Sequence, residues 1–384
     1  MILNTLRIRK YLIPFFTIIF GLSVLYTLFS FLIYWDPTRL ILARFKAKTP
    51  YTYEKVHQKF KIIDPTSFIT VTNNEDIRHK RRQLQKLFWG TAGIPYKILP
   101  SKIQKDFHLY PTPPLIRPQS SDKRSFIALY DVIDQYKDIK NLKKIDRLTI
   151  HQKPNWIAFS GVFYPKTSNQ RLLIYQNGFA STYHNQWRLI GDLVDKGFTV
   201  IAHNFRWYGV NQGKFEIKTL PFPLRGFIDP VIISVNYLTK NYKFKSIDMI
   251  GLSAGGWVTT IIAAIDTRIS RSYPVSGIYP MYLREGNEFP LPNIDKIITH
   301  ISSYLDLFIL SASGPDRKQM QVFNQFDKCC FRGTKSSLYK QTVSDLVQKI
   351  GPGSFSILLD KTHARHKISR FSFNQILLDM TRND

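Results

Sequence analysis

The stretch Ser246-Ile-Asp-Met-Ile-Gly-Leu-Ser-Ala-Gly-Gly-Trp257 opens as a buried strand and continues into a helix. Between the two lies Gly251-Leu252-Ser253-Ala254-Gly255, a G-x-S-x-G. That pattern describes a sharp strand-to-helix turn that lifts a serine hydroxyl above the end of a sheet. Glycines are needed on both sides, because strand and helix approach too closely for side chains there. The helix N-terminus behind Ser253 adds a positive dipole end. Context supports the reading: Ser246–Ile250 has strand character, and Trp257–Ile265 is apolar enough for a buried helix. The plainer alternative is an ordinary serine in an ordinary turn.

Outward from this stretch the chain alternates. Ile157–Tyr164 and Arg171–Gly178 read as strands, His184–Lys196 as a helix, and Phe198–Phe205 as a strand. Asp229–Lys240 reads as a helix, and Ile269–Gly277 as the strand after the elbow unit. Asp306–Pro315 reads as strand and turn, Gln319–Phe326 as a strand, Ser336–Ile350 as a helix and Phe355–Leu359 as a last strand. Strands alternating with helices predict an α/β fold, with a mostly parallel sheet covered on both faces.

Upstream, Tyr11–Trp35 carries no charge and is rich in Phe, Ile and Leu. Its length suffices to cross a bilayer. Arg7, Arg9 and Lys10 precede it, and Tyr26, Tyr34 and Trp35 offer interfacial aromatics. The run exceeds a signal-peptide core and no A-x-A site follows, so an uncleaved single-pass anchor at residues 11–35 is expected, behind a basic tail at 1–10. Basic residues flank both ends and leave the orientation undecided. Residues 36–147 read as a membrane-proximal extension without visible chemistry, wrapped over the following domain or serving as a lid. It includes a basic helix at Asn74–Leu87, a proline-rich Tyr110–Pro118 and a helix at Ser125–Tyr136. The run Arg78–Arg82 reads as a solvated helix face.

The chain has 384 residues and a net charge of +27, with Lys and Arg spread throughout, so no specific nucleic-acid partner is expected. Its two cysteines, Cys329 and Cys330, are neighbours; a bridge between them is disfavoured by geometry, and no cysteine-based metal site is expected. This count points to a reducing compartment and the cytosolic side. No P-loop, H-E-x-x-H or EF-hand loop occurs.

In this order of elements residues 148–384 resemble the alpha/beta-hydrolase superfamily. Three segments carry the resemblance: Gln176-Asn-Gly-Phe179 after the first long buried strand, where relatives often have His-Gly; Gly197–Gly209; and the elbow at Ser253. The resemblance implies a serine hydrolase, an esterase, lipase or thioesterase that needs no cofactor or metal. Ser253 would be the nucleophile, with an oxyanion hole from the backbone N–H groups of Phe179 and Ala254. The acid comes next in the family's order and the base last. Asp327 is the expected acid by its spacing to the following helix, with Asp316 the alternative. His363 is the expected base by its offset from the last strand, with His366 the alternative. His203 and Arg206 are candidates for substrate contact. Residues 281–305 occupy the place of a lid. The aromatic content of 14% and the anchor fit an acyl-containing, lipid-like substrate. The other class of function is a non-catalytic, hydrolase-like binding or scaffold protein at a membrane.

Overall fold

A computed structural model describes residues 2–47, 49–107, 136, 138–152, 156–179, 182–205, 224–285 and 292–382, with side chains from residue 17 onward except at 152 and 292–294. The proline-rich stretch, all but the end of the helix expected at Ser125–Tyr136, and Arg206 lie outside the described residues.

One nine-stranded sheet organises the chain. In chain order its strands are β1 (Lys102–Gln104), β2 (Leu142–Gln152), β3 (Trp156–Pro165), β4 (Arg171–Gln176), β5 (Thr199–His203), β6 (Ser246–Leu252), β7 (Arg271–Val275), β8 (Lys318–Asn324) and β9 (Ser354–Asp360). Across the sheet they run β1-β2-β3-β5-β4-β6-β7-β8-β9. The β1–β2, β2–β3 and β3–β5 pairs are antiparallel, and all the others are parallel. β4, β5 and β6 are buried along their whole length, which explains why their apolar residues run on without alternating.

Helices cover both faces. The elbow helix Ala254–Ile265 packs on one face with Arg225–Asn241, Tyr304–Ala312 and Ser337–Ile350. Trp187–Asp195 and Arg370–Thr381 fill the other. Tyr304–Ala312 corrects the strand expected from Asp306. Ser303 caps it by accepting from the Asp306 N–H at 3.0 Å, and all nine of its residues are buried. A helix that is apolar on every side leaves no 3.6-residue rhythm to read.

The extension belongs to the same body. Helix Asn74–Trp89 lies against the elbow helix, and its basic run is not simply solvated. Arg81 donates to the Ala264 and Leu310 carbonyls at 2.9 and 3.0 Å, and Gln85 to Ile265 at 2.9 Å. These donors satisfy carbonyls that a helix C-terminus leaves unpaired. Asp306 in turn accepts from Thr70 N–H and hydroxyl, both at 2.8 Å.

At the amino end a helix covers Ile2–Tyr34. Its segment Thr17–Tyr34 has a mean hydropathy of 2.0 and is not buried against the rest of the chain, so it is long and apolar enough to cross a membrane. By length and hydropathy of this segment alone, a signal sequence would qualify equally.

Candidate active site

The four loops that matter leave the sheet at one edge. The parallel register places Gln176 beside Gly251, Leu252 beside Val275, Val275 beside Val322, and Asn324 beside Asp360. The loops after β4, β6, β8 and β9 therefore emerge together at the carboxyl ends of the strands. β4 has β5 on one side and β6 on the other, so the strand order reverses there, where α/β sheets open a crevice.

Ser253 sits in that opening with φ 58° and ψ −126°, a strained conformation for a residue with a side chain. Such strain costs about 1–3 kcal/mol and persists only where the surroundings impose it. Here the surroundings are backbone. The Ser253 N–H donates to the Val275 carbonyl at 2.8 Å, and its carbonyl accepts from Gly256 and Trp257 at 2.8 and 3.1 Å. Ser253 is the N-cap residue of the elbow helix, yet its hydroxyl makes no capping hydrogen bond. A Cβ on Gly251 would overlap the Gly255 carbonyl, and one on Gly255 would overlap the Gln176 and Asn177 carbonyls. The motif's two glycines are thus fixed by backbone-to-backbone packing.

The loop after β4 lies directly over this turn. A Cβ placed on Gly178 would come within 2.7 Å of the Leu252 carbonyl and 3.0 Å of Ser253 Cβ. This brings the Phe179 backbone beside the start of the elbow helix, where Ala254 lies. Phe179 packs its ring on Phe205, with centroids 4.5 Å apart. Asn177 is buried and accepts from the Tyr175 hydroxyl at 3.1 Å.

The structure pairs the late acids and histidines differently from the sequence expectation of Asp327 with His363. Asp327 Oδ2 lies 2.6 Å from Nδ1 of His366. Among the described residues neither Nε2 of His366 nor Nε2 of His363 has a hydrogen-bond partner, so the carboxylate on Nδ1 is what sets His366 apart. His363 is fully buried one turn earlier: its Nδ1 accepts from the Arg365 N–H at 3.0 Å, and its Nε2 lies 3.4 Å from Asp360. The physical reason is the loop's own bracing. Asp360, at the end of β9, accepts from Thr362 N–H and hydroxyl at 2.8 and 2.7 Å, from Ser372 at 2.6 Å, and from Ser369. His363 is drawn into that knot, and the chain turns His366 toward β8.

Asp327 is itself held in place. It is fully buried, its N–H donates to Asn324 at 3.1 Å, and its Oδ1 accepts from the Cys329 N–H at 2.7 Å. Asn324 also donates to the Lys367 carbonyl at 2.9 Å, tying the Asp327 loop to the His366 loop. Asp316 lies in the exposed turn before β8, at the other end of that strand from Asp327 and away from the elbow. It lines a separate cavity of about 270 Å³ with Arg271, Lys318 and Arg382.

Two further expectations change. Cys329 and Cys330 are joined by a disulfide. Their sulfurs and a His366 ring nitrogen lie within 4.8 Å of one another, the one such cluster among the described residues; bridged sulfurs are not thiolates and hold a cation poorly. His203, a candidate for substrate contact, is buried at the end of β5, with Nδ1 2.8 Å from the Ser160 hydroxyl, which suits a structural role.

Burial pushes His203 down to about 3 and His184 down to about 4. Both stay neutral in the fold, whereas unfolded histidine takes up a proton near about 6.5. Their contribution is therefore complete above that pH and declines as pH falls toward the folded values. Burial pushes Asp360 up, but hydrogen bonds from His363, Ser369, Ser372 and Thr362 outweigh it and hold the carboxyl well below its ordinary range. Its contribution is present above about pH 4 and is lost on further acidification. Thermal melts against pH should show a plateau above neutrality and a two-stage fall in acid. Asp360→Asn should remove the lower stage, and His203→Gln should shrink the upper one.

Comparison with known proteins agrees with this architecture. No family model matches the chain, and no curated protein matches it. Solved structures do. Acetyl xylan esterase 1 from Thermoanaerobacterium sp. JW/SL YS485 superposes with a TM-score of 0.51 at 12% identity, covering 85% of this chain and 98% of that one. An acetyl xylan esterase from Paenibacillus sp. R4 gives 0.51 at 12% identity, over 84% and 98%. Methylesterase BT1017 gives 0.52 at 12% identity, over 87% and 70%. The chain has the alpha/beta-hydrolase fold.

Proposed function

We propose that the chain is a membrane-anchored serine hydrolase that cleaves an ester, thioester or amide through an acyl-enzyme on Ser253. The observation that carries this reading is the Asp327–His366 pair, with His366 Nε2 unpartnered among the described residues, at the same sheet edge as the strained serine. A serine hydroxyl needs an adjacent base to attack at neutral pH. His366 Nε2 takes the Ser253 proton as Oγ bonds to the acyl carbon. Asp327 holds the proton on Nδ1 and stabilises the imidazolium. The Phe179 and Ala254 N–H groups receive the oxyanion; one such donor is typically worth about 10²–10³ in turnover. The imidazolium then protonates the leaving group, and water, deprotonated by His366, releases the acid and restores Ser253. His363 serves as a loop brace in this scheme, and Asp316 has no part in it.

The esterases among the structural neighbours support an ester over an amide. Thr17–Tyr34 supplies the anchor. Residues 281–305 serve as a lid pinned at its base. Arg284 and the Tyr304 hydroxyl both bind Asp295, and Tyr304 accepts from Trp257 of the elbow helix at 2.8 Å. The test is hydrolysis of an activated short-chain ester by the full chain in detergent. Ser253→Ala should lower turnover by about 10⁴-fold or more. Equal activity in the variant would leave the scaffold reading in its place.

A further inference from the structure

The end of the apolar helix is fastened to the loops that carry the acid and the base. Helix Asp36–Phe45 follows Tyr34 with only Trp35 between. Asp36 pairs with Arg365 Nε at 2.9 Å and Lys367 Nζ at 3.0 Å, the two residues on either side of His366. The Arg365 guanidinium also donates to the Tyr34 carbonyl. Ala43 packs with Tyr53, Phe326 and Ala364, so the same helix touches the neighbour of Asp327 and the His366 loop. Arg44 stacks over the Phe326 ring, 4.9 Å from its centre.

The opposite face of this helix is apolar and uncovered. Ile41 and Phe45, one turn apart, are 53% and 83% exposed. A helix with one face on protein and an apolar face outward, entered directly from a membrane-spanning segment, lies in the plane of the interface. Tyr34 and Trp35, both exposed at the junction, suit the headgroup layer. Around this helix Arg39, Arg44, Arg365 and Lys367 outnumber the carboxylates they pair with, Asp36 and Glu54, and the remaining positive charge suits an anionic lipid surface. With so short a connection, the catalytic loops cannot stand off from the bilayer.

Building on the Ser253 reading, we infer that the site takes its acyl ester from the plane of the membrane: the substrate is a bilayer-seated amphiphile, reached along helix Asp36–Phe45. The full chain is reconstituted in vesicles of ether-linked phosphatidylcholine and phosphatidylglycerol, which contain no ester. Two probes are compared, 4-methylumbelliferyl oleate in the bilayer and 4-methylumbelliferyl acetate in water. Adding more ether lipid at constant total oleate should slow oleate cleavage in proportion to its dilution, and leave acetate cleavage unchanged. Replacing Ile41 and Phe45 together with Ser should lower the oleate rate at least about fivefold, with the acetate rate within about twofold. An oleate rate indifferent to dilution, an oleate rate of zero beside active acetate cleavage, or equal loss on both probes in the variant would overturn the inference. Failure on both probes, with no labelling of Ser253 by a fluorophosphonate, would instead remove the reading beneath it.

Discussion

His366→Ala is expected to lower turnover of an activated ester by about 10⁴-fold, whereas His363→Ala should leave turnover per folded molecule within about tenfold. The two histidines differ by one loop turn and by everything around them. His366 has a carboxylate on Nδ1 and no partner on Nε2 among the described residues. His363 is fully buried, with Nδ1 accepting from Arg365 N–H and Nε2 3.4 Å from Asp360, so its ring faces its own loop and not Asp327. Losing His363 should therefore appear as instability, by about 1–3 kcal/mol for a buried group left without its partner. Steady-state kinetics on folded protein and chemical denaturation separate the two outcomes. A large loss of turnover in His363→Ala, with His366→Ala active, would return the base to the position expected from the sequence.

Gly255→Ala should be severely damaging. The added carbon would overlap the Gln176 and Asn177 carbonyls, which belong to β4 and its loop rather than to a side chain that could swing aside. The sheet would have to part between β4 and β6, at its fully buried centre. Destabilisation above about 4 kcal/mol is expected, which is the range of severe core disruption. Ser253→Gly makes the informative contrast. It removes the proposed nucleophile and also relieves the positive φ, so this variant should be inactive and melt higher than the parent. Denaturant midpoints for the two variants check both statements.

How much of this was legible beforehand follows from how each element is buried. β4, β5 and β6 announce themselves as short apolar runs because both faces are covered. The elbow is legible because close backbone approach leaves only glycine at fixed spacing. Helix Tyr304–Ala312 is not legible as a helix, since it is buried all round and shows no periodicity. The role of Arg81 is hidden for the opposite reason: a basic run looks solvated until the carbonyls of Ala264 and Leu310 are seen beneath it. The histidine pairing depends on Asp360 gathering Thr362, His363, Ser369 and Ser372, a side-chain knot that spacing from a strand does not encode. The Cys329–Cys330 bridge likewise runs against the general rule for neighbouring cysteines.

The most direct measurement is the site and rate of phosphonylation. The full chain, treated with a fluorophosphonate and digested, should carry its adduct on Ser253 by mass spectrometry. Labelling should slow by orders of magnitude in both Asp327→Ala and His366→Ala. An adduct on another residue, or unchanged labelling of Ser253 when either partner is removed, would contradict an activated serine at this turn.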